Sequence, residues 1–254
     1  VFAEEEAQLL LGAAAGSAEE LERLVVARVG GMPLEPLLGW AEFCGLRIVV
    51  EPGVFVPRRR TELLAECALE AVRSSVHATA GDAVAAVDLC CGTGAVGAVL
   101  QARGGGRVEV HAADLDAAAV ANARRNIRPP ENVHEGDLYD ALPERLRGRV
   151  DVLAVNAPYV PTAAIATMPP EARDHEAAMA LDGGDDGLDI QRRVVAGASG
   201  WLSPRGVLLI ETSEEQSPLT AALLREAGLL PEIRRDDDRD ATIVIGRTGT
   251  TQFL

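Results

Sequence analysis

Val84-Ala-Ala-Val-Asp88-Leu89-Cys90-Cys91-Gly92-Thr93-Gly94-Ala-Val-Gly97 is the stretch that decides the fold. A strand-length apolar run ends near a carboxylate, turns through glycines and opens a helical pattern. Gly92, Gly94 and Gly97 have the G-x-G-x-x-G spacing, in which glycine lets a ligand approach the backbone without a Cβ in the way. Asp114 closes the next apolar run, Val108–Asp114, twenty residues beyond Gly94. A carboxylate there can accept from both hydroxyls of a ribose.

Outward from this unit, strands and helices alternate. Strand patterns recur at Val84–Cys90, Val108–Asp114, near Val133, Val150–Val155, Val207–Thr212 and Thr242–Ile245. This rhythm predicts a doubly wound α/β sheet. Segments at about 230–235 and 241–247 flank Asp236-Asp237-Asp238-Arg239-Asp240, and so short a link requires an antiparallel pair. Residues 4–28 read as helix broken at Gly12 to Gly16, 46–57 as a hairpin turning at Pro52-Gly53, and about 60–75 as a helix.

At this level the glycine loop suits NAD, with its pyrophosphate on the helix N-terminus, or S-adenosylmethionine lying across the same glycines. Asp88 favours the second, because it puts a carboxylate where an NAD site is apolar. It can reach the loop backbone or the ammonium of an amino-acid moiety. Asp137 follows the third strand, placed to accept from an adenine amine. Asp116 reads as a helix cap.

Asn156-Ala157-Pro158-Tyr159 follows the strand Val150–Val155. The Asn156 side-chain oxygen and the Ala157 carbonyl offer two acceptors side by side for a planar NH2 group, with Tyr159 over its face. Alone, the same residues also describe a strand ending in an Asn-x-Pro turn.

Composition narrows the partners. The chain has 254 residues, 48% hydrophobic and 25% charged, enough for one sizeable core. All 24 basic residues are arginine, which excludes Walker, Schiff-base and kinase lysines. With a net charge of −15 the surface repels duplex nucleic acid, and small molecules and proteins are the expected partners. No membrane span or signal segment is visible, and Cys44, Cys67, Cys90 and Cys91 lack metal-ligand spacing, which predicts reduced thiols in the cytoplasm and no metal. His77, His111, His134 and His175 read as structural or surface residues, and Glu176 and Asp182 as turn or cap residues near the rim.

Together these motifs resemble the HemK-like protein-(glutamine-N5) methyltransferases that modify peptide-chain release factors. Residues 156–159 are similar to the family's Asn-Pro-Pro-Tyr. Val54-Phe-Val-Pro57-Arg58 with Thr61-Glu62 resembles its Pro-Arg-Pro-Glu-Thr-Glu motif, and Asp182-Gly183-Gly184-Asp185-Asp186-Gly187-Leu188 its Gly-Gly-x-Asp-Gly-Leu segment. Arg28 to Gly39 with Glu42-Phe43 resembles the linker into the catalytic domain. Three departures stand out: about half of the N-terminal helical domain, arginines at 59 and 60 for Pro and an acidic residue, and Ala157 for the first proline.

The resemblance implies a seven-stranded, mostly parallel sheet of the class I S-adenosylmethionine-dependent methyltransferases. It divides the chain into a partial helical region 1–45, a hairpin and linker helix 46–75 and a catalytic domain 76–254. It implies cofactor contacts at Asp88, Cys90, Gly92, Thr93, Gly94, Asp114, Leu115, Asp137, Leu138 and Asn156. Catalysis falls to Asn156, Ala157, Pro158 and Tyr159, and acceptor binding to Asn156, Tyr159 and Arg58. The acceptor it implies is the glutamine of a Gly-Gly-Gln segment in a release factor. The rivals are an adenine methyltransferase acting on DNA or RNA, and a non-catalytic or NAD-dependent dinucleotide-fold protein.

Overall fold

The computed structural model describes residues 3–78, 83–168 and 177–249; His175, Glu176 and the His77 side chain fall outside the described residues. A seven-stranded sheet is made of β3 (Val84–Leu89), β4 (Val108–Asp114), β5 (Val133–Glu135), β6 (Val150–Val155), β7 (Leu202–Thr212), β8 (Leu229–Asp236) and β9 (Ala241–Thr248). Its order is β5-β4-β3-β6-β7-β9-β8. The first five run parallel and β9 is antiparallel to both neighbours. The antiparallel pair expected across the acidic loop is therefore present, and β8 ends the sheet.

Alternate residues of each central strand serve opposite faces. Ala86, Val110, Val152 and Leu209 pack against α4 (Glu62–Ala78), α5 (Ala95–Arg103) and α6 (Ala117–Asn126). Val87, Leu153, Leu208 and Val244 pack against α7 (Asp189–Trp201) and α8 (Ser217–Glu226). Both faces are covered, which is why these strands read as continuous apolar runs instead of alternating ones. The chain leaves β3 toward one edge and returns at β6 toward the other, so the topological switch lies between β3 and β6. Open sheets of this kind bind ligands at that point, beyond the carboxyl ends of the strands.

Ahead of the sheet, α1 (Ala3–Ala13), α2 (Ala18–Val29) and α3 (Leu34–Leu38) share a small core of Leu10, Ala14, Leu24 and Leu34. Ser17 caps α2, its hydroxyl accepting from the Glu20 amide at 3.2 Å. The break expected at Gly12 to Gly16 falls between α1 and α2.

The hairpin differs from the sequence expectation. It pairs β1 (Trp40–Phe43) with β2 (Leu46–Val49), turning at Cys44 and Gly45, whose φ angles are 48° and 68°. Two residues with positive φ match the twist of a tight hairpin. Pro52-Gly53 turns a loop instead. Val54 and Val56 are buried by side-chain packing, Val56 against Ala41 and Val50, without a partner strand. The hairpin therefore spans the boundary at residue 45, so the 1–45 and 46–75 division cuts through it.

Two asparagines of α6 fasten β2 to the sheet. Asn126 accepts from the Val49 amide at 2.9 Å and donates to the Val49 and Thr93 carbonyls at 3.0 and 2.9 Å. Asn122, 1% exposed, donates to the Val49 carbonyl at 2.7 Å and accepts from the Glu51 amide at 2.7 Å. This clamp sets the segment 54–62 against the glycine loop. No helix among the described residues is long and apolar enough to cross a membrane.

Candidate active site

Beyond β3 and β6 lies a cavity of about 490 Å³. The ladder pairs Leu89 with Val155, so the chain exits β3 at Cys90 and β6 at Asn156 side by side. Asp88, Cys90, Gly92, Thr93, Asp114 and Leu115 line one part of the cavity, with Asp137 and Leu138. Asn156, Ala157, Pro158, Tyr159 and Arg58 line the other. These residues come from segments up to a hundred positions apart.

Gly94 is not among the residues that line the cavity. It stands one step behind the wall, with φ of 74°, opening α5. A Cβ there would come within 3.0 Å of Ala123 and Ile127 side-chain atoms. Gly94 is needed for the turn and for helix packing.

The carboxylates explain the loop. Asp88 is 2% exposed and accepts from the Gly97 amide at 2.8 Å, so it organises the first turn of α5. Burial pushes its carboxyl up from 3.8 to about 7, against that amide, with the Asp114 charge adding to the rise. Asp114 accepts from the Gly92 amide at 2.8 Å and the Asp116 amide at 2.9 Å. Its pKa is also raised, by burial first. Asp116 caps α6 as expected, accepting from Ala118 at 2.9 Å. Asp137 meets Arg193 of α7 at 2.7 Å, a partner on the cavity wall that nothing in the local sequence announces.

Cys90 and Leu138, each followed or preceded by glycine turns, hold φ angles of 58° and 50°. Non-glycine residues in that region cost energy, and here both sit on the cavity wall. Burial and the surrounding carboxylates raise the Cys90 and Cys91 thiols, so neither is a thiolate nucleophile. His111 is fully buried and bonds His134 and Glu109, each at 2.9 Å, in a structural cluster away from the cavity lining.

On the other side, the Asn156 amide nitrogen donates to the Thr61 hydroxyl at 3.3 Å, leaving the side-chain oxygen as the other end. The Tyr159 hydroxyl donates to Glu211 of β7 at 3.2 Å. The Gly-rich segment 182–188 braces this tetrapeptide from behind. Val160 and Asp182 form an isolated parallel bridge. The Gln216 amide donates to the Tyr159 and Asp186 carbonyls at 2.9 and 3.0 Å. Asp182 accepts from Thr162 at 2.7 Å and the Gly184 amide at 3.0 Å, the turn role expected of it. Sequence reading missed Glu211, Gln216, Asn122, Asn126 and Arg193. A buried acid within the apolar β7 was the one available signal.

The wall fits S-adenosylmethionine: Asp88 and Asp114 offer carboxylates to a cation and to paired hydroxyls. Residues 45–184 match the family model described as the methyltransferase small domain. A release factor glutamine methyltransferase of Geobacter sulfurreducens is 34% identical over 226 residues, 88% of this chain and 75% of that protein. The chain belongs to the release factor glutamine methyltransferase family. It is a methyltransferase of the class I fold, and S-adenosylmethionine is the methyl donor. A Streptomyces pristinaespiralis relative named 4-amino-L-phenylalanine/4-methylamino-L-phenylalanine methyltransferase is 38% identical over 77% of this chain and 66% of its own length. A methyltransferase crystal structure from Pyrococcus furiosus shares the fold, with a TM-score of 0.56 and 16% identity, covering 93% of this chain and 99% of that one.

Proposed function

We propose that the chain methylates the side-chain amide nitrogen of a glutamine in a peptide-chain release factor, within a Gly-Gly-Gln segment. The observation that carries this reading is the placing of Asn156 on the cavity wall with its NH2 donating to Thr61, which leaves its oxygen as the end that can accept from a substrate. The Ala157 carbonyl is read as the second acceptor, so that the pair would meet the two N–H groups of one planar amide. Ala157 supplies that carbonyl as well as proline would, with a less restricted φ.

Residues Asp88, Asp114, Leu115 and Asp137 would hold S-adenosylmethionine, which when bound supplies a methyl group activated by its sulfonium. The chain's own residues orient the acceptor nitrogen toward it. An amide lone pair is delocalised into its carbonyl, and hydrogen bonds from both N–H groups return density to nitrogen. The same two oxygens stabilise the positive charge that grows there, the cationic counterpart of an oxyanion hole. Tyr159, tied to Glu211, packs over the amide face. The acceptor is proposed to be protein and not nucleic acid, in keeping with a net charge of −15. A cytoplasmic location goes with the reading, as do four free cysteines.

The test is transfer of labelled methyl to purified release factor, a Gly-Gly-Gln peptide, an adenine-containing oligonucleotide and 4-amino-L-phenylalanine in parallel. Only the first two should be methylated. Asn156→Ala should lower turnover about a hundred- to a thousandfold, by analogy with loss of one oxyanion-hole group. Exclusive methylation of the oligonucleotide or the free amino acid would overturn the acceptor assignment.

A further inference from the structure

The cavity divides by charge. Asp88, Asp114 and Asp137 line the half that suits the cofactor, and Arg58 and Arg60 line the half with Asn156 and Tyr159. Glu211 is the acid on that side among the described residues. It is 2% exposed, so the charge presented there to an acceptor is positive.

Elsewhere on the surface arginines are neutralised locally: Arg125, Arg145, Arg192 and Arg239 each meet a carboxylate. The arginines of the cavity wall differ from one another. Arg193 pairs with Asp137 at 2.7 Å, and Arg58 lies over the Phe55 ring, 5.3 Å from its centre. Arg60 is exposed and forms no ion pair with any described carboxylate, Glu211 included.

Its place in the chain puts that charge near the reacting amide. Arg60 precedes Thr61, whose hydroxyl holds the Asn156 NH2 at 3.3 Å, and one short helical turn, Arg59–Thr61, carries both. Its charge acts on Tyr159 and Glu211, which sets it beside the acceptor half. An acceptor that covers Arg60 strips water from a cation, which is costly without a partner. A carboxylate on the acceptor offsets that cost with charge-assisted hydrogen bonds, since the guanidinium fork matches it. A basic flank would add repulsion instead.

We propose that Arg60 is a specificity-determining residue: it takes the carboxylate of an acidic residue flanking the methylated glutamine. The inference rests on the glutamine reading of the site. Arg60 stands where the resembling motif has an acidic residue, so the preference of this chain is opposite in sign to the one that motif would impose. The net charge of −15 repels an acidic acceptor at long range, and a local cation at the cavity is what lets one dock.

The experiment measures methyl transfer to peptides that differ only in a residue next to the Gly-Gly-Gln segment: aspartate, serine or arginine. With the wild type, the aspartate peptide should have a KM about fivefold or more below the serine peptide, and the arginine peptide a higher one. Their kcat values should be alike, because this contact is made equally before and during transfer. Added salt should narrow the spread. Arg60→Gln should abolish the preference and Arg60→Glu should reverse it, with cofactor affinity retained. Equal KM values in the wild type, or the same order of peptides in Arg60→Glu, would overturn the inference while leaving the glutamine reading intact. Failure of that reading is distinct: no peptide would be methylated whatever its flank, and the inference would fall with it.

Discussion

Asp88 carries two duties at a single residue. Its carboxylate fastens the first turn of α5 through the Gly97 amide, and it faces the cavity that suits a cationic ligand. Because burial raises it to about 7, the free protein holds this proton near neutrality. A cation beside the carboxylate favours the ionised form, so binding should expel the proton. S-adenosylmethionine affinity, measured by calorimetry, should therefore rise with pH between about 6 and 8, by up to about tenfold per unit below the pKa. Asp88→Asn keeps an acceptor for Gly97 and should flatten the profile. A level wild-type profile would show that the Asp88 proton is not linked to the ligand. The sequence alone placed Asp88, Asp114 and Asn156 at strand ends, because a strand end is a local property. It could not reveal that Asp137 is paired with Arg193, since that partner comes from a distant helix.

At the scale of elements, the segment Asp182–Leu188 works as a brace for the tetrapeptide. Gly187 has φ of 76°, and an added Cβ would overlap the Tyr159 carbonyl oxygen and the Gln216 amide. The loop, the tetrapeptide and the start of α8 thus meet at a point that admits no side chain. Gly187→Ala should displace Tyr159, reducing turnover by about tenfold or more and stability by about 1–3 kcal/mol. Cofactor affinity should hold, because Asp88, Gly92 and Asp114 belong to other elements. Transfer kinetics, thermal denaturation and calorimetry on one preparation separate these outcomes; a weakened cofactor would mean that the brace reaches the other half of the cavity. The hairpin teaches a related lesson. A hairpin ahead of the linker helix was legible, but which residues pair in it was not. The turn at Cys44 and Gly45 took the strand role for residues 40–49, and clamping by Asn122 and Asn126 fixed it there.

For the whole molecule, buried acids make stability depend on pH. Asp88 and Glu211 move from 3.8 and 4.5 to about 7, so between these values the folded chain binds more protons than the unfolded one. Stability from both groups is full below their ordinary values and is lost as pH rises through about 7. His134, lowered by burial from 6.5 to about 4, has the opposite sign and loses its contribution as pH falls between those values. The terms oppose each other up to about 6.5, and above it the carboxylates act alone. The melting temperature of the cofactor-free protein should fall between pH 6.5 and 8. Asp88→Asn combined with Glu211→Gln should remove most of that slope, and a slope unchanged in the double variant would assign it to other groups.

The sequence by itself determined the sheet, its helices and the strand ends where the chemistry gathers. Apolar runs, glycine spacing and turn residues are short-range, and burial on both sides of a parallel sheet writes itself directly into composition. It also favoured S-adenosylmethionine over NAD, since carboxylates at successive strand ends suit a cation. Only the tertiary structure decided which way Asn156 faces. That orientation depends on Thr61, ninety-five positions earlier, whose hydroxyl meets the Asn156 amide only once the sheet is wound.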